Sequence, residues 1–257
     1  MSLLVRSCHR WKSLRINAKH HMSHLESVAH FPALQKIDVH ILERFDSDYR
    51  SDALLGAPRL RHACLHGLGI SRIRLPPGVT HLSGSITCPE DLHLFFQLPN
   101  LKRCHLGITA AMIATDAPVV TVAQLSHLYV VDAGVLKFLS APLLSSLAIG
   151  RFPVEHWPPS TQESITLFLH RSRCRLESLS VSKAIFTFEA TPNRMFVSEA
   201  RSTISCLKLE LPPQMIKGIV EALASPPVLP NLHHLILCIS VSRGRLGCHN
   251  RHGTLLP

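Results

Sequence analysis

The sequence predicts an α/β solenoid in which short parallel strands alternate with helical or irregular returns. The string LPNLKRCHL at residues 98–106 recurs as LPNLHHLIL at 229–237 and as FPALQKIDV at 31–39. In each string a leading apolar residue is followed, three and five residues later, by two more apolar residues. A unit that recurs at intervals of a few tens of residues indicates a repeat architecture.

Ten segments of the chain fit this unit. Their apolar residues are Trp11-Leu14-Ile16, Leu34-Ile37-Val39, Leu60-Ala63-Leu65, Val79-Leu82-Gly84, Leu101-Cys104-Leu106, Leu125-Leu128-Val130, Leu144-Leu147-Ile149, Leu176-Leu179-Val181, Ile204-Leu207-Leu209 and Leu232-Leu235-Leu237. Most intervals between units match the period of about 20–29 residues that is typical of leucine-rich repeats. We therefore predict a leucine-rich-repeat solenoid, an α/β horseshoe with parallel strands on its concave face. The fourth unit fits least well, because Gly84 has no side chain to contribute.

Each unit is expected to form one short strand. Its last two apolar residues are two positions apart and so point to the same face of a strand. A single short strand cannot bury that face alone, but stacked units share a continuous core. The proline that precedes several units lacks an N–H group and is expected before the strand, not within it.

The connections between strands are predicted mainly from helical spacing of apolar residues. We expect helices within residues 22–31, 90–98, 134–140, 161–170 and 215–223, loops at 110–118 and 151–160, and an aberrant helix within 184–198. The predicted solenoid covers residues 1–241. Residues 242–257 are basic, contain three glycines and are expected to form a disordered tail.

Composition favours a folded protein of the cytoplasm or nucleus. Apolar residues make up 46% of the 257 residues and charged residues 17%, which argues against general disorder. No apolar stretch is long enough to span a membrane. The eight scattered cysteines form no C-x-x-C pair, and we expect them to be reduced. The net charge of +10 favours an acidic partner, but direct nucleic-acid binding is not favoured, because aromatic residues are few.

Three groups of residues resemble the repeat region of fungal F-box proteins. The opening RWKSLRI at 10–16 resembles the R-W-x-S-L-x-L that begins that region, and residues 31–34, 57–61 and 98–101 resemble its P-x-L units. The string RSRCRLESLS at 171–180 is similar to its R-S-x-C-x-L segment. The resemblance covers roughly residues 10–240. It implies substrate recognition for a cullin–RING ubiquitin ligase, with adaptor binding expected only if an F-box, which is not found in this chain, lies upstream.

No sequence motif for catalysis or for a cofactor is present, so we expect neither an enzyme nor a bound metal. The acidic pairs Glu90-Asp91 and Asp46/Asp48 are expected at a helix start or in solvated loops. His20 and His24 share a predicted helical face, and Cys248, His249 and His252 lie in the predicted tail, but neither set has the closed arrangement of ligands that a zinc site needs.

Aligning the units predicts a candidate binding face. In each unit, the residues just before and just after the first inward strand position are expected to point out of the sheet. In the N-terminal half these positions are rich in Lys, Arg and His, and the candidate site consists of Arg15, Lys36, His62, His81, Arg103, His105, His127 and Tyr129. Cationic donors on adjacent strands suit an acidic or phosphorylated segment of a protein partner. The alternatives are a repeat-only scaffold or F-box-less remnant with no ubiquitin link, and a basic nucleic-acid-binding protein.

Overall fold

The protein is a mixed α/β structure dominated by one parallel sheet. The computed structural model describes residues 7–18, 30–41, 50–113, 115–150, 161–182, 202–211, 213–224 and 229–239. Outside these ranges lie residues 22–29 of the first predicted helix, segments 151–160 and 184–198, the predicted tail, and His20, His24, Cys248, His249 and His252.

The large sheet contains ten strands that follow one another in chain order. They are β1 (Ser13–Ala18), β2 (Lys36–Ile41), β3 (His62–Gly69), β4 (His81–Ile86), β5 (Arg103–Ile108), β7 (His127–Val130), β9 (Ser146–Ile149), β10 (Ser178–Val181), β11 (Cys206–Leu211) and β12 (His234–Ile239). Every neighbouring pair is parallel. Two short strands, β6 (Val120–Thr121) and β8 (Leu139–Ser140), pair separately. The sheet does not close into a barrel, and this arrangement is consistent with a solenoid-like α/β fold.

Each of the ten predicted units contributes one strand to the large sheet. The leading residues Leu34, Leu101 and Leu144 are essentially fully buried and belong to one continuous core, against which Leu232 packs. Because successive strands align their inward residues across the sheet, this core runs from strand to strand without interruption.

A β-turn precedes most of these strands, and it explains the recurring P-x-L string. In residues 98–101, the N–H of Leu101 donates to the carbonyl of Leu98, which closes a four-residue turn with Pro99 at its second position. Proline has a φ angle suited to that position. The same bond joins Leu34 to Phe31, Leu60 to Ala57, Leu144 to Ala141 and Leu232 to Leu229. The predicted placement of proline before the strand is confirmed.

The helical predictions are confirmed in part. The α-helices are α1 (Leu94–Gln97), α2 (Ala110–Ile113), α3 (Thr161–Ser172) and α4 (Pro213–Ala224), and 3-10 helices span Cys8–Arg10, Ile70–Arg72, Pro89–His93 and Ala133–Phe138. Helices α3 and α4 include the predicted segments 161–170 and 215–223. Segment 90–98 is mainly 3-10 helix followed by α1, and segment 134–140 ends in strand β8, not in a helix.

The prediction of a loop over residues 110–118 is wrong at its start. Helix α2 forms one turn there, because the carbonyl of Thr109 accepts from the N–H groups of Met112 and Ile113 and Met112 is buried. One buried methionine can hold so short a turn, which is too short to show a helical period in the sequence.

The weak fourth unit still forms a complete strand, β4. A methyl group added at Gly84 would lie 2.4 Å from Cγ2 of Ile70, which belongs to the 3-10 helix after β3. Ile70 is fully buried and occupies the space that the inward side chain of other units fills. The glycine therefore reflects a different way of filling the same core.

Candidate functional site

The outward side chains of the sheet form aligned rows, and we call this surface the polar face. The first row consists of Ser13, Lys36, His62, His81, Arg103, His127, Ser146, Ser178, Cys206 and His234. The second row consists of Arg15, Asp38, Cys64, Ser83, His105, Tyr129, Ala148, Ser180, Lys208 and Ile236. Both rows have the register that the aligned units predict.

A groove of about 460 Å³ lies on the N-terminal part of this face. We call it the histidine groove. Of the eight candidate residues, it is lined by Lys36, His62, His81, Arg103, His105, His127 and Tyr129. The structure thus brings seven of the predicted site residues together in one surface depression.

Arg15, the eighth candidate, does not line the histidine groove. Its Nε donates to Oδ2 of Asp38 at 3.0 Å. Asp38 stands opposite Arg15 in the second row, and its side chain is only 14% exposed. The charge of Arg15 is therefore partly neutralised by a neighbour. Sequence reasoning placed both residues in the same row but treated Arg15 as a free cation.

Rings pack against one another along the groove. The imidazoles of His62 and His81 stack nearly parallel, with ring centroids 4.0 Å apart and an interplanar angle of 7°. His105 meets Tyr129 edge to face at 4.3 Å. Two of the rings also contact hydroxyl groups of the preceding residues. Thr80 Oγ1 lies 2.9 Å from Nδ1 of His81, and Ser126 Oγ lies 2.9 Å from Nδ1 of His127.

This packing holds the groove histidines in their neutral form. Burial, and next to it the charges of Lys36 and Arg103, lower the pKa of His62. Burial followed by neighbouring His62, Arg103 and His127 lowers the pKa of His81 to about 4. The pKa values of His105 and His127 are also lowered, chiefly by burial. Near neutral pH these histidines are therefore uncharged, and among the groove residues the cationic donors are Lys36 and Arg103.

Lys36 and Arg103 supply the positive charge of the groove. In the first row they flank the His62–His81 stack, with one on each side. Three strand spacings separate their backbones, or about 14 Å. Guanidinium and ammonium groups on either side of uncharged rings can bind two anionic groups of one extended segment, or one large anion by closing inward.

The C-terminal part of the polar face is different in chemistry. A second groove of about 530 Å³ is lined by residues that include Ala148, Ser180, Lys208 and Glu210. Tyr129 borders both grooves. Here small side chains leave the sheet open, and Lys208 is accompanied by an acidic neighbour.

One cluster has the residue types of a metal site. Ligand atoms of Asp38, Cys64 and His66 lie within 4.8 Å of one another on β2 and β3. Burial, followed by the charge of Asp38, raises the pKa of the Cys64 thiol. Sequence reasoning missed this cluster because it aligned only two rows, whereas His66 stands in a third row, opposite His40.

Asp91, of the acidic pair Glu90-Asp91, is buried and accepts several hydrogen bonds. It lies in the 3-10 helix Pro89–His93, as expected for a helix start, but it is fully buried, not solvated. Its carboxylate accepts from the backbone N–H groups of Ser71, Thr87 and Cys88 at 2.6–3.2 Å and from the hydroxyls of Ser71 and Thr87. These five hydrogen bonds to one carboxylate link the connection that follows β3 to the connection that follows β4. The other acidic pair, Asp46 and Asp48, lies outside the described residues.

Comparison with known proteins finds no match: neither a family model, nor a curated protein, nor a solved structure matches the chain. Within the described ranges, no helix is long and apolar enough to cross a membrane.

Proposed function

We propose that this chain is a non-enzymatic protein-binding domain, a leucine-rich-repeat horseshoe whose polar face is its concave side. Its histidine groove binds an acidic or phosphorylated segment of a partner protein. The observation that carries the proposal is the placement of Lys36 and Arg103 on either side of the stacked His62 and His81 within one groove.

The groove offers both charge and contact area to such a segment. Arg103 can form paired hydrogen bonds with a phosphate or carboxylate, and Lys36 can contribute a point charge. The faces and edges of the neutral rings provide surface for the backbone and side chains between the two anions. Each neutral imidazole also has one N–H group to donate.

Binding is expected to strengthen as pH falls below about 6.5, the ordinary pKa of histidine. An anion held against His62 or His81 favours the charged imidazole and so opposes the burial that lowers its pKa. Binding then takes up protons. Because these pKa values are lowered in the free protein, the gain in affinity continues as pH falls toward about 4, the pKa of His81.

A titration with defined peptides tests this proposal. The probes are a fluorescein-labelled acidic peptide with two phosphoserines and its unphosphorylated counterpart, with affinity read by fluorescence polarisation. Removing both groove cations in Lys36→Ala/Arg103→Ala is expected to weaken binding of the phosphopeptide about tenfold or more, as for loss of a charge-assisted hydrogen bond.

The matched control removes the same amount of charge elsewhere. Lys208→Ala/Lys217→Ala takes one cation from the C-terminal part of the polar face and one from α4. This variant is expected to bind within about twofold of the wild type, since charges beyond a Debye length from the groove are screened. Equal losses in the two double variants would refute a localised site and leave only attraction by net charge.

The ubiquitin-ligase role rests on the resemblance to fungal F-box proteins. A tagged chain, expressed with and without an F-box joined to its front, can be purified and its partners identified by mass spectrometry. Adaptor capture with the F-box, together with a partner common to both forms, supports substrate recognition. A common partner without adaptor supports a repeat-only scaffold.

The net charge of +10 also favours a second candidate, a nucleic-acid-binding protein. Counterion release makes such binding fall steeply with salt. Titration with a single-stranded RNA of mixed sequence at two salt concentrations separates the two functions. RNA affinity that exceeds phosphopeptide affinity at physiological salt would favour this second candidate.

A further inference from the structure

Two adjacent strands place three different metal-binding atoms at one point of the polar face. Asp38 on β2 stands directly opposite Cys64 on β3, and His66 follows Cys64 by two positions, which puts it on the same face. The carboxylate oxygen, the thiol sulfur and the ring nitrogen lie within 4.8 Å of one another. The grouping follows from strand register, not from proximity in the sequence.

The two oxygens of the Asp38 carboxylate have different neighbours: Arg15 at Oδ2 and His40 at Oδ1. Oδ2 accepts from Nε of Arg15 at 3.0 Å. Oδ1 is closed off from solvent, and no N–H or O–H of the described residues points at it with hydrogen-bond geometry. Carboxylates that bind metals are commonly oriented by such an outer hydrogen bond. A buried oxygen that accepts no hydrogen bond is costly unless a cation satisfies it, and here Nε2 of His40 is close enough to do so only when it is protonated or replaced by a bound ion.

His40 provides a fourth nitrogen next to this cluster. Its Nε2 lies 3.0 Å from Oδ1 of Asp38, and its ring stacks on that of His66 with centroids 4.4 Å apart. Asp38 and His40 on β2 therefore face Cys64 and His66 on β3 as a square of four candidate ligands.

The backbone next to His66 is also specialised. The pairing of β3 with β4 shifts register between Leu65 and Gly69, where the strand has a bulge or irregularity. Gly67 has a φ angle of +81°, and a methyl group there would lie 1.9 Å from the carbonyl oxygen of Ile41. Only glycine fits this approach. Bulges of this kind often re-aim a neighbouring side chain at a functional site.

We propose that Asp38, Cys64 and His66 bind a divalent transition-metal ion of the zinc class, with His40 as the fourth ligand. Sulfur, imidazole and carboxylate together suit zinc and its spectroscopic substitute cobalt better than magnesium or calcium, which prefer oxygen ligands. Tetrahedral bonding brings ligand atoms to about 3.5 Å from one another. Movements of about an ångström are therefore enough to bring the ligand atoms of Asp38, Cys64 and His66 to bonding distance from one ion.

Titration of the reduced, metal-free chain with Co²⁺ alone tests the site, without any peptide. The wild type is expected to bind one Co²⁺ with the near-ultraviolet band of a cobalt–thiolate bond and the intense visible bands of tetrahedral cobalt. Zn²⁺ is expected to displace it, because zinc thiolate sites prefer zinc. The variants Cys64→Ser and Asp38→Asn remove a ligand at its own volume, and His66→Asn removes the ring nitrogen.

Matched controls are available on the C-terminal half of the same face. Cys206→Ser and His234→Asn change the same residue types in the first row of β11 and β12. The thiolate band is expected to vanish in Cys64→Ser, and affinity is expected to fall about tenfold or more in Asp38→Asn and His66→Asn, at least the loss typical for outer partners of metal ligands. The two controls are expected to stay within about twofold of the wild type.

Three results would overturn the proposal. The first is a wild type without a cobalt–thiolate band, which indicates only scattered binding to the 18 histidines. The second is a thiolate band that persists in Cys64→Ser. The third is equal loss of affinity in the ligand and control variants. Circular dichroism of each metal-free variant verifies that it is folded, and Cys64→Ala replaces Cys64→Ser if that variant is not.

Discussion

Strands β2, β3, β4, β5 and β7 carry a polar face of stacked histidines and cations, whereas β9 and β10 carry only serine and alanine in the two rows of the same face. We call strands β2, β3, β4, β5 and β7 the N-terminal half of the sheet and strands β9 to β12 its C-terminal half. Both halves share the backbone ladder that continues from strand to strand, and the apolar residues of the aligned units on β2 to β11 are buried in both. The difference teaches that inward positions determine the fold, while outward positions are free to differ in chemistry.

The largest expected effect tests the buried core that both halves share. Leu65→Ala in β3 and Leu207→Ala in β11 each truncate a fully buried leucine. Each is expected to lower the free energy of unfolding by about 3 kcal/mol, through lost burial and the cavity that remains. Urea denaturation measures both. A cost below about 1 kcal/mol for only one of them would show that the two halves are not packed alike.

A substitution at Asp91 tests an anchor in the connections that follow β3 and β4. Asp91→Asn keeps the volume but turns an amide NH₂ toward groups that are themselves donors. The expected loss of stability is about 2 kcal/mol, as for hydrogen bonds to a buried charge. In the control Asp132→Asn, a carboxylate that accepts from the N–H of Gly134 changes in the same way, with a smaller expected cost. Comparable costs for the two variants would argue against the five-donor anchor.

A substitution at Gly84 tests whether Ile70 fills the core space next to β4 in place of an inward side chain. Gly84→Ala is expected to destabilise by about 1–2 kcal/mol, because the new methyl group overlaps Ile70. In an Ile70→Ala background the same substitution is expected to cost clearly less. A double-mutant cycle by urea denaturation measures this coupling. Purely additive costs would mean that Ile70 does not occupy the place of the absent side chain.

The smallest expected effect concerns pH. The pKa values of His62, His81, His105 and His127 are lowered in the folded protein, so the unfolded chain binds more protons once pH falls below about 6.5. Stability is therefore expected to decline from about pH 7 to about pH 5, and the full loss for His81 extends to its pKa of about 4.

Replacing single histidines assigns that pH dependence to one half. His81→Asn is expected to flatten the decline of the urea midpoint with falling pH, whereas His234→Asn on β12 is expected to leave it as in the wild type. If both variants kept the wild-type slope, the stacked rings would not be its source.

Much of the strand register follows from the sequence, because two apolar residues two positions apart must share one face. That rule alone predicts Lys36, His62, His81 and Arg103 side by side in one row. It did not reveal the stacking of the rings, because ring orientation depends on neighbours in space. The lowered pKa values of the rings depend on this burial and could not be read from the sequence.

Other features depend on contacts that no local pattern records. The ion pair of Arg15 with Asp38 joins two strands, and the cluster of Asp38, Cys64 and His66 depends on a third row beyond those aligned. The burial of Asp91 follows from the packing of two connections against one carboxylate. Local propensity can locate a helix start, but not the donors that surround it.

The most direct test of a binding surface confined to the N-terminal half is an NMR titration of the histidine rings with the doubly phosphorylated peptide. Assignment by single His→Asn variants identifies each ring signal. The signals of His62, His81 and His127 are expected to shift and saturate together, while that of His234 stays in place. Equal shifts across both halves, or a shift confined to His234, would contradict the assignment of partner binding to the histidine groove.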